Sequence, residues 1–326
     1  MAPGASLARK VRRAGTAGLV SLATTALGCG GEVVNLGSSG LQTGGAGGSG
    51  VVAAHVWDVQ STPVFPQVKD RLLANPTLTE DGTYLFYSVQ ERYGNPEPHA
   101  PKIERAIREG SIFRNIAEQT LGALMMPEVS SPAISAKGTE LWIGLLNGGN
   151  TDIFKSDLQA GAWTTPLRVA ELCSSDYDDA PRQPAVMGTL MPLSSKRHGG
   201  PSPVYQIYLS NRENEHAVWS EPSQALLGAV NSDDFQSADG FLDHTGLELY
   251  FSSTREGDHA DSDLYVSRRA SLSDAFAEPE ALVDLNDPEG RSDERMPWLS
   301  LDGQSLYFVS NRTGQYTLYL ATKAAP

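Results

Sequence analysis

The chain is poor in cysteine, in positive charge and in long apolar runs, and each shortage removes a class of protein. Only Cys29 and Cys173 occur in 326 residues, so a disulfide framework is excluded. Twenty-five Lys and Arg stand against 39 Asp and Glu, a formal net charge of -14. Duplex nucleic acid is a poor partner for such a surface, because phosphate binding rests on Lys and Arg. The mildly apolar stretch from Ala14 to Leu27 is too short and too weak to span a bilayer. There is no Gly-x-Ser-x-Gly elbow and no phosphate loop. His55, His99, His198, His216, His244 and His259 show no zinc spacing, so neither a metal nor a cofactor is expected.

Turn formers are plentiful: Gly is 32 and Pro 20, beside a hydrophobic fraction of 40% that supports a real core. Frequent turns without a long apolar periodic run point to an all-β chain. The N-terminus reads differently. Arg9, Lys10, Arg12 and Arg13 form a positive patch ahead of the apolar stretch, which ends in Ala26-Leu27-Gly28-Cys29. This pattern resembles a lipoprotein signal peptide of bacteria, with Ala26 where that family usually has leucine. The resemblance implies cleavage after residue 28 and a lipid on Cys29, which would hold the protein at a membrane of the periplasm or cell surface. Residues 30–50 are mostly Gly and Ser and cannot bury enough surface to offset their ordering entropy. The organisation expected is a leader over 1–28, a lipidated tether over 29–50 and one folded domain over 51–326.

That domain is repetitive. Asn75-Pro76 through Asp81-Gly82 to Tyr84-Leu85-Phe86 is echoed by Ser131-Pro132, Lys137-Gly138 and Leu141-Trp142-Ile143. It returns in Met296-Pro297, Asp302-Gly303 and Leu306-Tyr307-Phe308. Turn glycines fall at Gly82, Gly138, Gly188, Gly246 and Gly303, with the copy around Gly188 the most eroded. Arginine follows the glycine by nine residues in three copies, at Arg197, Arg255 and Arg312. A short strand such as Asp263-Leu264-Tyr265 comes next, then an aromatic ahead of proline: Trp163 with Pro166, Trp219 with Pro222, Phe276 with Pro279. An Asp-Gly turn between apolar strands is a hairpin signal. Four antiparallel strands per copy make one blade of a β-propeller, unstable alone and buried on both faces in a ring. The fifth copy ends at Lys323 without a fourth strand, so the stretch from Trp57 to Val68 is expected to pair with it and close a single five-bladed ring. The insert over 91–112 carries a piece, Lys102 to Glu109, that reads equally as helix or charged strand.

The repeat, Asp-Gly-x-x-Leu-aromatic-aromatic-x-Ser-x-Arg followed by Asp-Leu-Tyr, resembles that of TolB-type propellers over roughly residues 57–323. The resemblance implies an envelope location and a protein-binding, non-enzymatic role.

Hairpin topology sets the residues before the first strand and after the second on one face, around the channel mouth. They are Asp178, Asp179, Asp233, Asp234, Asp293 and Glu294, with Arg197, Arg255 and Arg312. One reading has them pair across neighbouring blades and fix blade orientation. The other has them bind an envelope protein or peptide. The Asp-Gly turns fall on the opposite face. A second class of function is a glycosidase whose carboxylates, from Asp178, Asp234 and Glu294, converge in the funnel. Arginines at the same mouth argue against it by favouring ionised carboxylates. The acidic loop from Asp258 to Asp263 reads as solvated turn rather than a calcium site. The domain is expected to be monomeric, touching the membrane through its anchor alone.

Overall fold

The computed structural model describes residues 57–65, 71–91, 102–122, 129–199, 203–255 and 261–324. Cys29, the tether, residues 92–101 of the 91–112 insert and Asp258 to Ala260 lie outside the described residues.

The described residues form a five-bladed β-propeller, blade by blade in chain order. The first blade runs Arg71–Leu78, Tyr84–Glu91, Lys102–Glu109 and Ile112–Glu118. Lys102–Glu109 is thus a strand, paired along Tyr84 to Val89. The second blade runs Val129–Ile134, Glu140–Asn147 and Asn150–Gln159, with Ala162–Trp163 and Leu167–Arg168 sharing its outer edge. The third has Asp179–Pro181, Leu190–Ser195 and Gln206–Asn211, and its fourth strand shrinks to one bridge between Leu209 and Ser223. The fourth has Ser237–Leu242, Glu248–Ser253, Asp263–Arg268 and Glu280–Ala281. In the fifth, Glu294–Leu299, Ser305–Ser310 and Thr317–Lys323 are completed by Trp57–Val59, which pairs antiparallel with Ala321 to Lys323. The ring therefore closes through an N-terminal strand, as the missing fourth strand requires. Among the described residues no helix is long and apolar enough to cross a membrane.

The strands are apolar on both sides because each blade is covered on both. In Ser305–Ser310, Tyr307 and Val309 face the first blade while Leu306 and Phe308 face the fourth. Alternation with period two, normally apolar to polar, becomes apolar to apolar. Five buried clusters result, one at each blade interface. Each large side chain so buried contributes about 1.5–3 kcal/mol.

The innermost strands share a kink. Asn75, Ser131, Asp239 and Met296 all have left-handed φ, between 48° and 59°, and each ladder shifts register there. Such a bulge leaves one residue unpaired. This explains the repeat's proline: Pro76, Pro132 and Pro297 follow the bulged residue, where a missing N–H costs the ladder nothing.

Candidate functional site

The arginines that follow the second strand turn away from the channel. Arg197 donates through Nη2 to Asp179 at 2.7 Å and to the Leu172 carbonyl at 2.6 Å, and lies 5.2 Å over the Tyr208 ring. Tyr208 belongs to the third strand, further from the axis than Ser195. Arg312 repeats this with Glu294 at 3.1 Å, the Leu285 carbonyl at 2.5 Å, and the rings of Phe308 and Tyr319. Arg255 reaches the Val230 carbonyl at 2.7 Å and stacks on Phe251 and Tyr265, but the carboxylate's place is held by Ser237, 3.5 Å away. Each arginine thus ties the connector entering its blade to the first strand. The pairs form within a blade, not across neighbours, because acid and arginine flank the same hairpin.

The acids divide accordingly. Asp179 and Glu294 are fully buried. Asp293, also buried, accepts from the Ser262 N–H at 2.7 Å and from Tyr316, and forms an ion pair with Arg295. Asp178 accepts from the Thr151 N–H at 2.9 Å and Lys196 at 3.2 Å. Burial pushes its carboxyl up, yet these donors hold it below the usual range. Asp233 and Asp234 are exposed, and Asp233 accepts from Gln206 Nε2 at 3.5 Å.

Cys173 belongs to the same framework. Its Sγ accepts from the Ile153 N–H at 3.2 Å. Asn231 and Asn286 do the same for Ile207 and Leu264 in the next two blades, each also donating to the carbonyl of its partner. Cys173 therefore fills an asparagine position. Burial pushes its thiol up to about 12, so it is protonated at neutral pH.

The channel is closed at its waist. Arg182, entering from the third blade, pairs with Asp239 of the fourth and donates to Asn75 Oδ1 of the first at 3.1 Å. Burial lowers its guanidinium to about 10, still charged at neutral pH. The space left there is about 20 Å³, room for about one water.

Above the plug, on the turn face, opens a cup of about 260 Å³. Its floor is Gln183, Phe241 and Trp298, with the indole N–H donating to Gln183 Oε1 at 2.7 Å. Turn residues of all five blades form the wall, from Glu80, Lys137, Met187, His244 and Leu301. The third-blade turn is unusual. Val186, Met187 and Gly188 are successive left-handed residues, with φ of 49°, 55° and 82°. The Ala185 carbonyl accepts from the N–H groups of Gly188, Thr189 and Leu190. Left-handed backbone costs about 1–2 kcal/mol per L-residue, more for β-branched valine. Strain of this kind collects at ligand clamps. The turn leans on the fourth blade, where a Cβ on Gly246 would stand 2.7 Å from Val186, and it leaves Met187 92% exposed at the cup's edge. The sequence shows this copy only as eroded.

A second set of cations also escaped notice in the sequence. Arg212 and Arg269, one repeat apart, donate from Nε to the turn carbonyls of Gly188 at 2.7 Å and Gly246 at 2.8 Å. They stack on Trp219 and Phe276, the aromatics that precede proline. Among the described residues no cluster of three His, Cys, Asp or Glu could hold a metal.

No family model matches the chain, and no curated protein matches it. Solved structures do. BT0996, solved as an RGII complex, aligns with a TM-score of 0.56 at 9% identity, over 83% of this chain and 92% of that one. A protein of unknown function from Dyadobacter fermentans gives 0.52 at 10% identity, over 82% and 99%. A putative TolB from Agrobacterium tumefaciens gives 0.46 at 16% identity, over 74% and 70%. At these identities the likeness is one of fold, and TolB proteins are among the neighbours.

Proposed function

We propose that this chain is a non-catalytic binding propeller of the bacterial envelope, taking an apolar segment of a protein or peptide partner into the turn-face cup. One observation carries the reading: a strained turn holds Met187 in solvent beside a cup walled by all five blades. Leu301, 48% exposed, stands on the opposite wall. Large exposed apolar groups around a concave, pre-formed site suit recognition. Of the channel-mouth residues, Asp233 and Asp234 are the ones exposed to a partner on the other face. The three arginines, Asp179 and Glu294 are engaged within their blades, and Asp293 is tied to the fourth blade through the Ser262 N–H.

The chemistry of the mouth favours binding over glycoside cleavage. A hydrolase needs two carboxyls about 5–9 Å apart, one held protonated. Glu294 accepts from Ser292, Ser310 and Arg312, and Asp178 is held below the usual range. The envelope location and lipid on Cys29 rest on the leader pattern of residues 9–29. Labelled palmitate should enter the full chain and be absent from Cys29→Ser.

The test places a photo-reactive benzoylphenylalanine at 187, 301 or 233 in the source cell. Adducts of one discrete size at 187 and 301, absent at 233, are expected. No adduct at 187 or 301, or the same adduct at 233 alone, overturns the turn-face reading.

A further inference from the structure

Arg212 and Arg269 occupy equivalent positions in successive blades, and only one is neutralised. Both are buried, 6% and 7% exposed. Both anchor Nε on a turn glycine and stack on an aromatic ring. Arg212 then reaches back to the second blade, where Nη2 meets Glu140 at 3.2 Å. Glu140 opens its second strand opposite Asp157, and Leu190 opens the next blade's second strand opposite Asn211. Leucine thus stands in the third blade where the counter-ion for Arg269 should be. Arg269 Nη1 donates to the Leu272 carbonyl at 3.1 Å, and Asp243 and Asp274 act on the guanidinium from a distance, but among the described residues it has no ion pair and its buried Nη2 has no hydrogen-bond partner. A buried cation without a counter-charge is costly to hold, and evolution of a packed core normally removes it.

At that place the structure has a groove. About 470 Å³ opens between the third and fourth blades, lined by Arg269, Arg212, Leu190, Leu209, Leu226 and Leu272. This is within the range of roughly 300–1,000 Å³ for small-molecule sites, which pair apolar walls with few polar anchors. Leu190 lies against the turn that Arg269 anchors, 3.3 Å from where a Cβ on Gly246 would be. Both blades therefore meet at the unneutralised guanidinium.

We propose that this groove binds a carboxylate carried on an apolar body, the ligand supplying to Arg269 the charge that Glu140 supplies to Arg212. Guanidinium and carboxylate match in charge and planar geometry, and the leucines take the apolar part. The ligand is either a free aliphatic acid or the carboxyl end of an apolar peptide. The groove shares Val186 and Arg212 with the turn-face cup, but Arg269 and the leucines that carry this proposal line the groove alone.

The test titrates the full chain with octanoate, N-acetyl-leucyl-leucine, octanol and octylamine, read by calorimetry and by the melting temperature. At least one of the two acids should bind ten-fold or more tighter than octanol and raise the melting temperature, and octylamine should do neither. Whichever acid binds identifies the source. Leu190→Glu builds the counter-ion into the protein and should cut acid affinity ten-fold or more. Arg269→Leu removes the guanidinium and should lose acid binding while remaining folded by circular dichroism. The proposal is overturned if neither acid binds at 10 mM, if octanol binds as well as octanoate, or if a folded Leu190→Glu protein keeps its affinity.

Discussion

Replacing Arg312 with alanine removes one guanidinium from several partners at once. Glu294, with no exposed surface, loses a charged donor at 3.1 Å; the Leu285 carbonyl loses its donor at 2.5 Å; Phe308 and Tyr319 lose the cation above them. Breaking a fully buried pair from one side costs about 3–5 kcal/mol. Arg312 is 25% exposed and Glu294 keeps Ser292 and Ser310, so the expected loss is nearer about 2–3 kcal/mol. At roughly 2–4 °C per kcal/mol for a domain of this size, the melting temperature should fall about 5–10 °C. The fourth blade supplies the control, since Ser237 stands there where Glu294 stands in the fifth. Adding Glu294→Ser to Arg312→Ala should cost nothing more, although Glu294→Ser destabilises the parent, a coupling of about 1–2 kcal/mol. Urea unfolding of the four proteins gives the cycle. A loss below about 0.5 kcal/mol for Arg312→Ala, or additive effects, would refute the view that the arginine braces its blade.

Three further outcomes follow from the same framework. Cys173→Asn should replace the weak sulfur bonds to the Ile153 N–H and carbonyl with the amide pair made by Asn231 and Asn286, raising stability by about 1 kcal/mol in urea unfolding; an unchanged or lower midpoint would count against the equivalence. With its thiol pushed up to about 12 by burial, Cys173 should resist iodoacetamide at pH 8 in the native protein and react once unfolded, and rapid native labelling would contradict this. Asp152 is pushed up by burial, but Arg168 and Asn147, each at 2.6 Å, hold it below its ordinary 3.8. Its contribution is therefore complete above about pH 4 and is lost as pH falls through the lowered value. The stability gap between the parent and Asp152→Asn should narrow between pH 5 and 3, whereas a gap that widens on acidification would reverse the sign.

The blades and their closure are legible in the sequence because each is a local matter. Hairpin glycines, the arginine after the second strand and the missing fourth strand at Lys323 all lie within one repeat. What stayed hidden joins repeats. Arg212 meets Glu140 across 72 residues, and the vacancy opposite Arg269 shows only when Leu190 is set in register with Glu140. The left-handed residues were hidden for another reason. Asn75, Ser131, Asp239 and Met296 share a backbone conformation and no side-chain chemistry, so the following proline was the only mark, and Gly240 lacks even that. Topology located the channel mouth but not the direction of its arginines, which follow the aromatic rings of the third strand.

Arg182 makes the ring a vessel with a bottom. Anything that enters the turn-face cup must leave by the way it came, so its residence is set by one doorway and not by flow through the axis. Nor can a polypeptide be drawn through the protein, as through a ratchet or a pore. What the plug permits instead is double occupancy: molecules on the two faces do not compete for one space. A ring of this kind can stand between two partners as a coupling piece, each seated on its own side.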